Sequence, residues 1–167
     1  KLRSLPSGAR VSLLIAPEKD AEKTRRYLTA GNVDGAIILS HHSDDYAYTR
    51  LSQSIPVVFG GRPMSEDGPG ATYVDVDNVE AARAVTSRLL ARGRRRIATI
   101  AGPLNMSAGI DRLQGWREAV SDAGLSTDLI EYGDFSPASG ADAMRRLLDR
   151  DPTIDGLFAA SAQMASG

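Results

Sequence analysis

The sequence predicts an α/β fold with parallel sheets in two lobes, and three observations lead to that prediction. Short apolar runs alternate with segments of helical periodicity, which is the pattern of strands and helices in a parallel sheet. Most of these runs are continuously apolar, as expected for strands buried on both faces. A stretch rich in Gly, Pro and Ser over residues 60–70 separates two halves, and two such lobes would place a ligand cleft between them.

Seven apolar runs are the candidate strands of this fold. In chain order they are residues 11–16, 36–39, 56–59, 73–76, 96–101, 129–132 and 156–160.

The helix after the fourth run has clear signals at both ends. Asp77 is the predicted N-cap, with Glu80 three residues later as in a capping box, and Gly93 follows the last turn. Its predicted apolar stripe consists of Val79, Ala82, Val85 and Leu89.

Two further helices are predicted after this one, and two helices with weaker signals are predicted before it. The first should bury Leu113, Trp116 and Val120 and end at Gly124. The second should begin with Ser136 as cap and Pro137 in the first turn. The expected buried face of that second helix is Ala141, Met144, Leu147 and Leu148. Residues 21–28 and 44–52 are weaker helix predictions.

Composition excludes several classes of function. Twenty basic and 21 acidic residues leave a net charge of −1, which argues against a phosphate-binding surface over the whole chain. The absence of cysteine excludes disulfides and thiolate metal sites. No apolar run reaches the ~20 residues of a membrane helix, and no export signal is visible, so we expect a cytoplasmic protein that does not contact a membrane.

Enzyme and cofactor motifs are missing from the sequence. Neither a dinucleotide-binding nor a P-loop glycine pattern occurs, nor a nucleophile elbow, so we expect no catalysis and no cofactor.

His41 and His42, followed by Asp44 and Asp45, are either half a metal site or a polar loop. We favour the loop, and therefore no metal, because adjacent ligands seldom converge on one ion.

The arginine-rich run 92–96 also allows two interpretations. It is either a patch for anions or nucleic acid, or a set of cations at a helix C-terminus. We favour the second.

Arg112 and Phe135 are the candidate binding residues. Arg112 should lie at the start of a helix near the carboxyl end of a strand, where open parallel sheets bind ligands. Its guanidinium suits carboxylates or adjacent hydroxyls, although a solvated side chain paired with Asp111 is the alternative. Phe135 should reach the same edge and offer a flat apolar face, or instead cap the sheet as a core residue. We interpret Trp116 as core.

Eight stretches of the sequence resemble, in order, the LacI/GalR family of bacterial transcription regulators. They are VDGAIIL at 33–39, IPVVF at 55–59, VDVDN at 74–78, residues 89–97, AGPL at 101–104, RLQGW at 112–116, GDF at 133–135, and residues 159–167. Each is weak alone, but together they are specific and cover the chain from about residue 11.

The resemblance implies a periplasmic-binding-protein-like core of two doubly wound parallel-sheet lobes, both partial here, over residues 1–74 and 75–167. It further implies a small effector, often a sugar, bound between the lobes of a homodimer that binds operator DNA. Arg112 matches an arginine that contacts ligand hydroxyls, and Phe135 matches a stacking aromatic. Ser161, Gly61 and Ser40 match further contact positions.

The sequence departs from the family pattern at several points. Ala162 stands where an aspartate is usual, and Gly61 has no side chain with which to contact a ligand. The helix-turn-helix head, the first strand and the C-terminal strands are not matched, so we expect a middle segment of a regulator. A solute-binding protein of a sugar transporter is the alternative function, and an α/β enzyme is a third.

Overall fold

The computed structural model describes residues 21–39, 51–52, 54–64 and 71–167. The predicted strand 11–16, the histidine pair and Ser40 lie outside these residues, as does nearly all of the predicted helix 44–52. Within them the chain forms α1 (Ala21–Tyr27), β1 (Ala36–Leu39), β2 (Val57–Gly60) and β3 (Tyr73–Val74). It continues with α2 (Asn78–Ala91), β4 (Ile97–Ala101), α3 (Ser107–Asp122), β5 (Ile130–Tyr132), α4 (Pro137–Arg150), β6 (Gly156–Ala159) and α5 (Ala162–Ser166).

The strands form two parallel three-stranded sheets, which confirms the predicted α/β class. The first has the order β1-β2-β3 and the second β5-β4-β6. Ala36 pairs with Val57 in the first sheet, and Ile97 pairs with Gly156 in the second. Each predicted strand within the described residues is present, with ends displaced by at most two residues.

The second sheet is covered by helices on both faces. All five residues of β4 are buried. Ile97 and Ala101 pack with Trp116 on the side of α2 and α3. Ala98 and Ile100 pack in a cluster that also contains Leu129, Ala143, Leu147, Ala160 and Met164, on the side of α4 and α5. The continuous apolar run therefore marks a central strand, as predicted.

β1 does not follow that prediction. Ile38 is buried, but Ile37 and Leu39 are 76 % and 67 % exposed. Ile38 packs with Leu51 and Phe59 on one face of the first sheet. The burial of β1 thus alternates along the strand.

The helix ends of the second half follow the sequence signals. The Asp77 carboxylate accepts a hydrogen bond from the Glu80 N–H at 2.9 Å, and the Ser136 hydroxyl accepts one from the Ser139 N–H at 3.2 Å. Gly93 and Gly124 have φ of 84° and 68°, the left-handed conformation that ends a helix at the C′ position.

Two residues assigned to buried helix faces are exposed. Val85 of α2 and Leu148 of α4 are 51 % and 42 % exposed. On α4 Leu147 is buried as predicted, together with Gly140 and Ala143, while Ala141 and Met144 are half-buried. α4 packs closely on α5 at Gly140, where an added Cβ would lie 2.1 Å from the Met164 carbonyl oxygen.

α1 ends in a wide turn that the periodicity did not predict. Residues Leu28–Asn32 form a π-type turn containing Gly31 at φ 79°. The Thr29 hydroxyl donates to the Arg25 carbonyl at 3.0 Å, and the Asn32 amide donates to the Tyr27 carbonyl at 2.9 Å. The side chains of Thr29 and Asn32 thus bond to the main chain of the last turn of α1. No helix among the described residues has the length and apolar character needed to cross a membrane.

Candidate ligand-binding site

Arg112 extends from α3 toward the carboxyl end of β6. It lies in the second turn of the helix, which begins at Ser107, and not at its start as predicted. Its Nη1 donates to the Ala160 carbonyl at 2.7 Å, and its Nε donates to the Asn78 side-chain oxygen at 2.8 Å. The guanidinium is therefore at the strand edge where parallel sheets bind ligands, as predicted.

Asp111 does not pair with Arg112, so that alternative is wrong. Its two carboxylate oxygens accept hydrogen bonds from Nη2 of Arg62, at 2.8 and 2.6 Å. This bond raises the pKa of the Arg62 guanidinium above its ordinary value. The pair joins the segment after β2 to α3, and so joins the two halves of the chain.

The main chain of Arg62 is also bound to the second half. Its N–H donates to the Asp75 carboxylate at 2.9 Å, and its carbonyl accepts from the buried Ser107 hydroxyl. Gly61 immediately before it has φ of 104° and donates its N–H to the Val74 carbonyl at 2.9 Å. Gly61 therefore extends the β2–β3 pairing, and it has no side chain to offer a ligand.

Phe135 is half-buried and has φ of 69°, which is unusual for a bulky residue. Its ring lies over Gly102 at the end of β4, where an added Cβ would come within 2.3 Å of the ring Cζ. The ring also packs on the cluster beneath α4. The ring thus reaches the strand edge and also contributes to the core, and its contact with a ligand stays a prediction.

Hydrogen bonds in the neighbouring turn hold the backbone of Phe135. The Asp134 carboxylate accepts from the Ser136 N–H at 2.9 Å, while the Asp134 N–H donates to the Ser139 hydroxyl at 3.1 Å. Bonding to Ser136, more than to Ser139, lowers the pKa of Asp134 to about 2. The ionised carboxylate thus stabilises a turn that includes a left-handed residue.

Ser161 is the N-cap of α5, and its hydroxyl oxygen accepts from the Met164 N–H at 3.2 Å. It follows Ala160, the carbonyl partner of Arg112, so these two predicted site residues are neighbours. Ala162, the departure from the family pattern, is exposed. No bond among the described residues joins Phe135 or Gly61 directly to Arg112.

Sequence reasoning missed Asn78 as the partner of Arg112, Asp75 as the partner of Asn78, and Arg62 as the partner of Asp111. Asn78, Asp75, Arg62 and Asp111 contribute no recognisable catalytic or metal-binding motif. The only available signal was the VDVDN stretch, which the family resemblance marks without assigning a role. Among the described residues no group of three or more His, Cys, Asp or Glu side chains is placed to hold a metal ion.

The arginine-rich run is hydrogen-bonded to aspartates that lie 32 to 60 residues away in sequence. Arg96 donates to Asp151 from Nε and to Asp128 from Nη1, at 2.5 and 3.0 Å. The N–H groups of Arg95 and Arg96 both donate to the Asp155 carboxylate. These contacts favour a structural role for part of the run over an anion patch.

Comparison with known proteins agrees with this architecture. Residues 7–167 match the family described as periplasmic binding proteins and sugar binding domain of LacI family. The chain belongs to this family. Its relatives within the LacI group include the HTH-type transcriptional regulator CelR of Thermobifida fusca, 49 % identical over 146 residues, or 86 % of this chain and 43 % of that protein.

Other LacI-family proteins are similar over comparable lengths. The ribose operon repressor of Halalkalibacterium halodurans is 33 % identical over 93 % of this chain and 46 % of its own length. A structure of a transcriptional regulator CelR–cellobiose complex superposes with a TM-score of 0.81 at 47 % identity, covering 87 % of this chain and 46 % of that one. A LacI-family regulatory protein from Chloroflexus aggregans superposes with a TM-score of 0.72 at 30 % identity, over 90 % and 56 % of the two chains. The chain spans less than half the length of the curated relatives it matches.

Proposed function

We propose that this chain is the effector-sensing part of a LacI-type transcription regulator that binds a sugar between its two lobes. The observation that carries the proposal is the partly buried Arg112, whose guanidinium reaches the strand edge with two neutral oxygen partners. A guanidinium with free donors is suited to vicinal hydroxyls. CelR–cellobiose, a structure similar to this chain, makes a β-linked disaccharide the first ligand to test.

The other assigned residues belong to the same proposal. Phe135 would stack on the apolar face of a sugar ring at the edge of β4. Ser161, next to Ala160, would contribute its hydroxyl, while Gly61 would offer only backbone. We include Ser40 as a ligand-contact position because of the family resemblance alone.

The division into lobes 1–74 and 75–167 is likewise proposed. It is supported by the two separate sheets, the first ending at Val74 and the second beginning at Ile97. We further propose that the chain acts in the cytoplasm as part of a homodimer, that it is not an enzyme, and that operator DNA is bound by a helix-turn-helix head outside this sequence. The regulators named above support this function over a transporter's solute-binding protein.

Titration calorimetry of the full-length protein with cellobiose tests the proposal. We expect saturable binding that Arg112→Ala weakens by about 100-fold or more, since charge-assisted hydrogen bonds contribute roughly 1.5–3 kcal/mol each. Arg117→Ala is the matched control, because Arg117 is an exposed arginine on the same helix. Its affinity should equal that of the unsubstituted protein.

Two results would contradict separate parts of the proposal. The absence of saturable binding would exclude cellobiose as the ligand. Unchanged affinity in Arg112→Ala would remove Arg112 from the site.

A further inference from the structure

Asn78 is a buried polar residue that bonds directly to the proposed ligand-binding arginine. It is the first residue of α2, is 2 % exposed, and accepts the Arg112 Nε–H at 2.8 Å. We infer that Asn78 is a positioning residue for Arg112, and that it controls sugar affinity by fixing the orientation of the guanidinium plane. The inference rests on the proposed function in one respect, namely that Arg112 contacts the ligand.

The amide of Asn78 is itself held in one orientation. Its Nδ2 donates to the Asp75 carboxylate at 3.1 Å and to the Val76 carbonyl at 3.2 Å. Both partners are acceptors only, so the amide nitrogen must face them. The amide oxygen is thereby directed toward Arg112, and rotation of the amide by 180° would place a donor against a donor.

Two fixed points define the plane of a guanidinium. Nε is held by Asn78 of α2, and Nη1 by the Ala160 carbonyl at the end of β6. Neither partner is charged, so the positive charge of Arg112 is not neutralised by a carboxylate among the described residues. A carboxylate at either point would neutralise this charge and so weaken the attraction of the remaining N–H groups for ligand hydroxyls.

The remaining N–H groups of Arg112 are therefore the ones available to a ligand. Within the described part of the chain they make no hydrogen bond. Loss of the Asn78 contact would let the side chain rotate about its last torsions. Ordering it again on binding would then reduce affinity, even though Asn78 need not touch the sugar.

A double-mutant cycle with cellobiose as the probe separates positioning from general damage. In the full-length protein we expect Asn78→Ala to weaken binding about tenfold, the size expected for one bond to a charged group. Arg112→Lys has no Nε–H, so adding Asn78→Ala to it should change affinity less than twofold. Equal loss of affinity in both backgrounds would overturn the inference.

A structural control keeps the cycle interpretable. Thr86 is fully buried in the same helix, and its hydroxyl donates to the Ala82 carbonyl at 2.8 Å. Thr86→Val removes that bond far from Arg112. We expect Thr86→Val to lower the unfolding temperature of the protein without changing its affinity for cellobiose. If Thr86→Val instead loses as much affinity as Asn78→Ala, any buried change in α2 has the same effect and the inference is wrong.

A measurement without ligand completes the test. The Nε–H signal of Arg112 in ¹⁵N NMR spectra is assigned by its disappearance in Arg112→Lys. We expect slow exchange of this proton with water in the unsubstituted protein and at least tenfold faster exchange in Asn78→Ala. Unchanged exchange would overturn the inference.

The two proposals can fail separately. If cellobiose does not bind, or Arg112→Ala binds it normally, the proposed function loses its ligand or its site, and the exchange experiment alone decides whether Asn78 orients Arg112. If Arg112→Ala abolishes binding but the cycle is additive, the proposed function stands and the role of Asn78 is wrong.

Discussion

At the scale of single residues, the position of Arg112 at a strand edge could be predicted from the sequence, whereas its hydrogen-bond partners could not. Arg112 was identified from a family motif and from its position after a strand. Its partners Asn78 and Ala160 are 34 and 48 residues away in sequence. Contacts of that kind depend on how α2, α3 and β6 pack, and no local pattern specifies them.

Asp151 provides a prediction about pH at the residue scale. Hydrogen bonds lower the pKa of this carboxyl from 3.8 to about 2, with the bond from Thr153 contributing most and the bond from Arg96 second. A lowered folded-state pKa stabilises the ionised form, so the contribution to folding is complete above about pH 4 and is lost as the pH falls toward 2.

We expect Asp151→Asn to lower the free energy of unfolding at pH 6, and the difference from the unsubstituted protein to disappear near pH 2. Urea unfolding of the full-length protein at a series of pH values measures this difference. Asp149→Asn, exposed on the preceding helix, controls for the loss of one negative charge. A difference that persists unchanged at pH 2 would contradict the prediction.

At the scale of elements, apolar runs and capping residues predicted most of the described structure. β3 is shorter than its apolar run because pairing with β2 ends at Val74, after which the Asp75 carboxylate accepts the N–H groups of Arg62 and Val76. The exposed Val85 shows the limit of periodicity. The periodicity of apolar residues indicates which residues share a helix face, but it does not indicate how much of that face the neighbouring helix covers.

α2 and α3 approach each other closely at Gly115. A Cβ added there would lie 2.1 Å from the Val79 carbonyl oxygen and 2.9 Å from the Ala82 Cβ. We expect Gly115→Ala to destabilise the protein, because overpacking against backbone costs about 1–3 kcal/mol. That outweighs the gain of up to roughly 1 kcal/mol in helix propensity.

Chemical unfolding of Gly115→Ala in the full-length protein measures the balance. Ser121→Ala, at an exposed position of the same helix, is the control and should leave the free energy of unfolding nearly unchanged. Increased stability of Gly115→Ala would mean that α2 and α3 separate without cost.

At the scale of the whole molecule, the chain is a sensing segment in this proposal, and its charge agrees with that role. A net charge of −1 leaves no excess of cations to neutralise DNA phosphates. We expect the 167 residues alone to bind DNA no better than a neutral protein of similar size. A gel-shift assay at low salt, with the full-length regulator as positive control, measures this. Sequence-specific retardation by the short chain would contradict it.

Fold class was predictable at this scale because strand and helix signals alternate along most of the chain. The connection between the two halves was not. It depends on Arg62, whose side chain and main chain bind Asp111, Asp75 and Ser107. Nothing in the Gly- and Pro-rich composition around it indicates those three partners.

The triple attachment of Arg62 has a mechanical consequence for its neighbour. Residue 62 is anchored to the second half, while β2 ends at Gly60 in the first sheet. Relative rotation of the two sheets would therefore strain the backbone at Gly61, between these two points, as well as the chain that continues from Val74 into α2. With φ of 104° and no Cβ, Gly61 can turn through angles closed to other residues. The residue that offers no side chain to a ligand can therefore absorb part of such a rotation in its backbone.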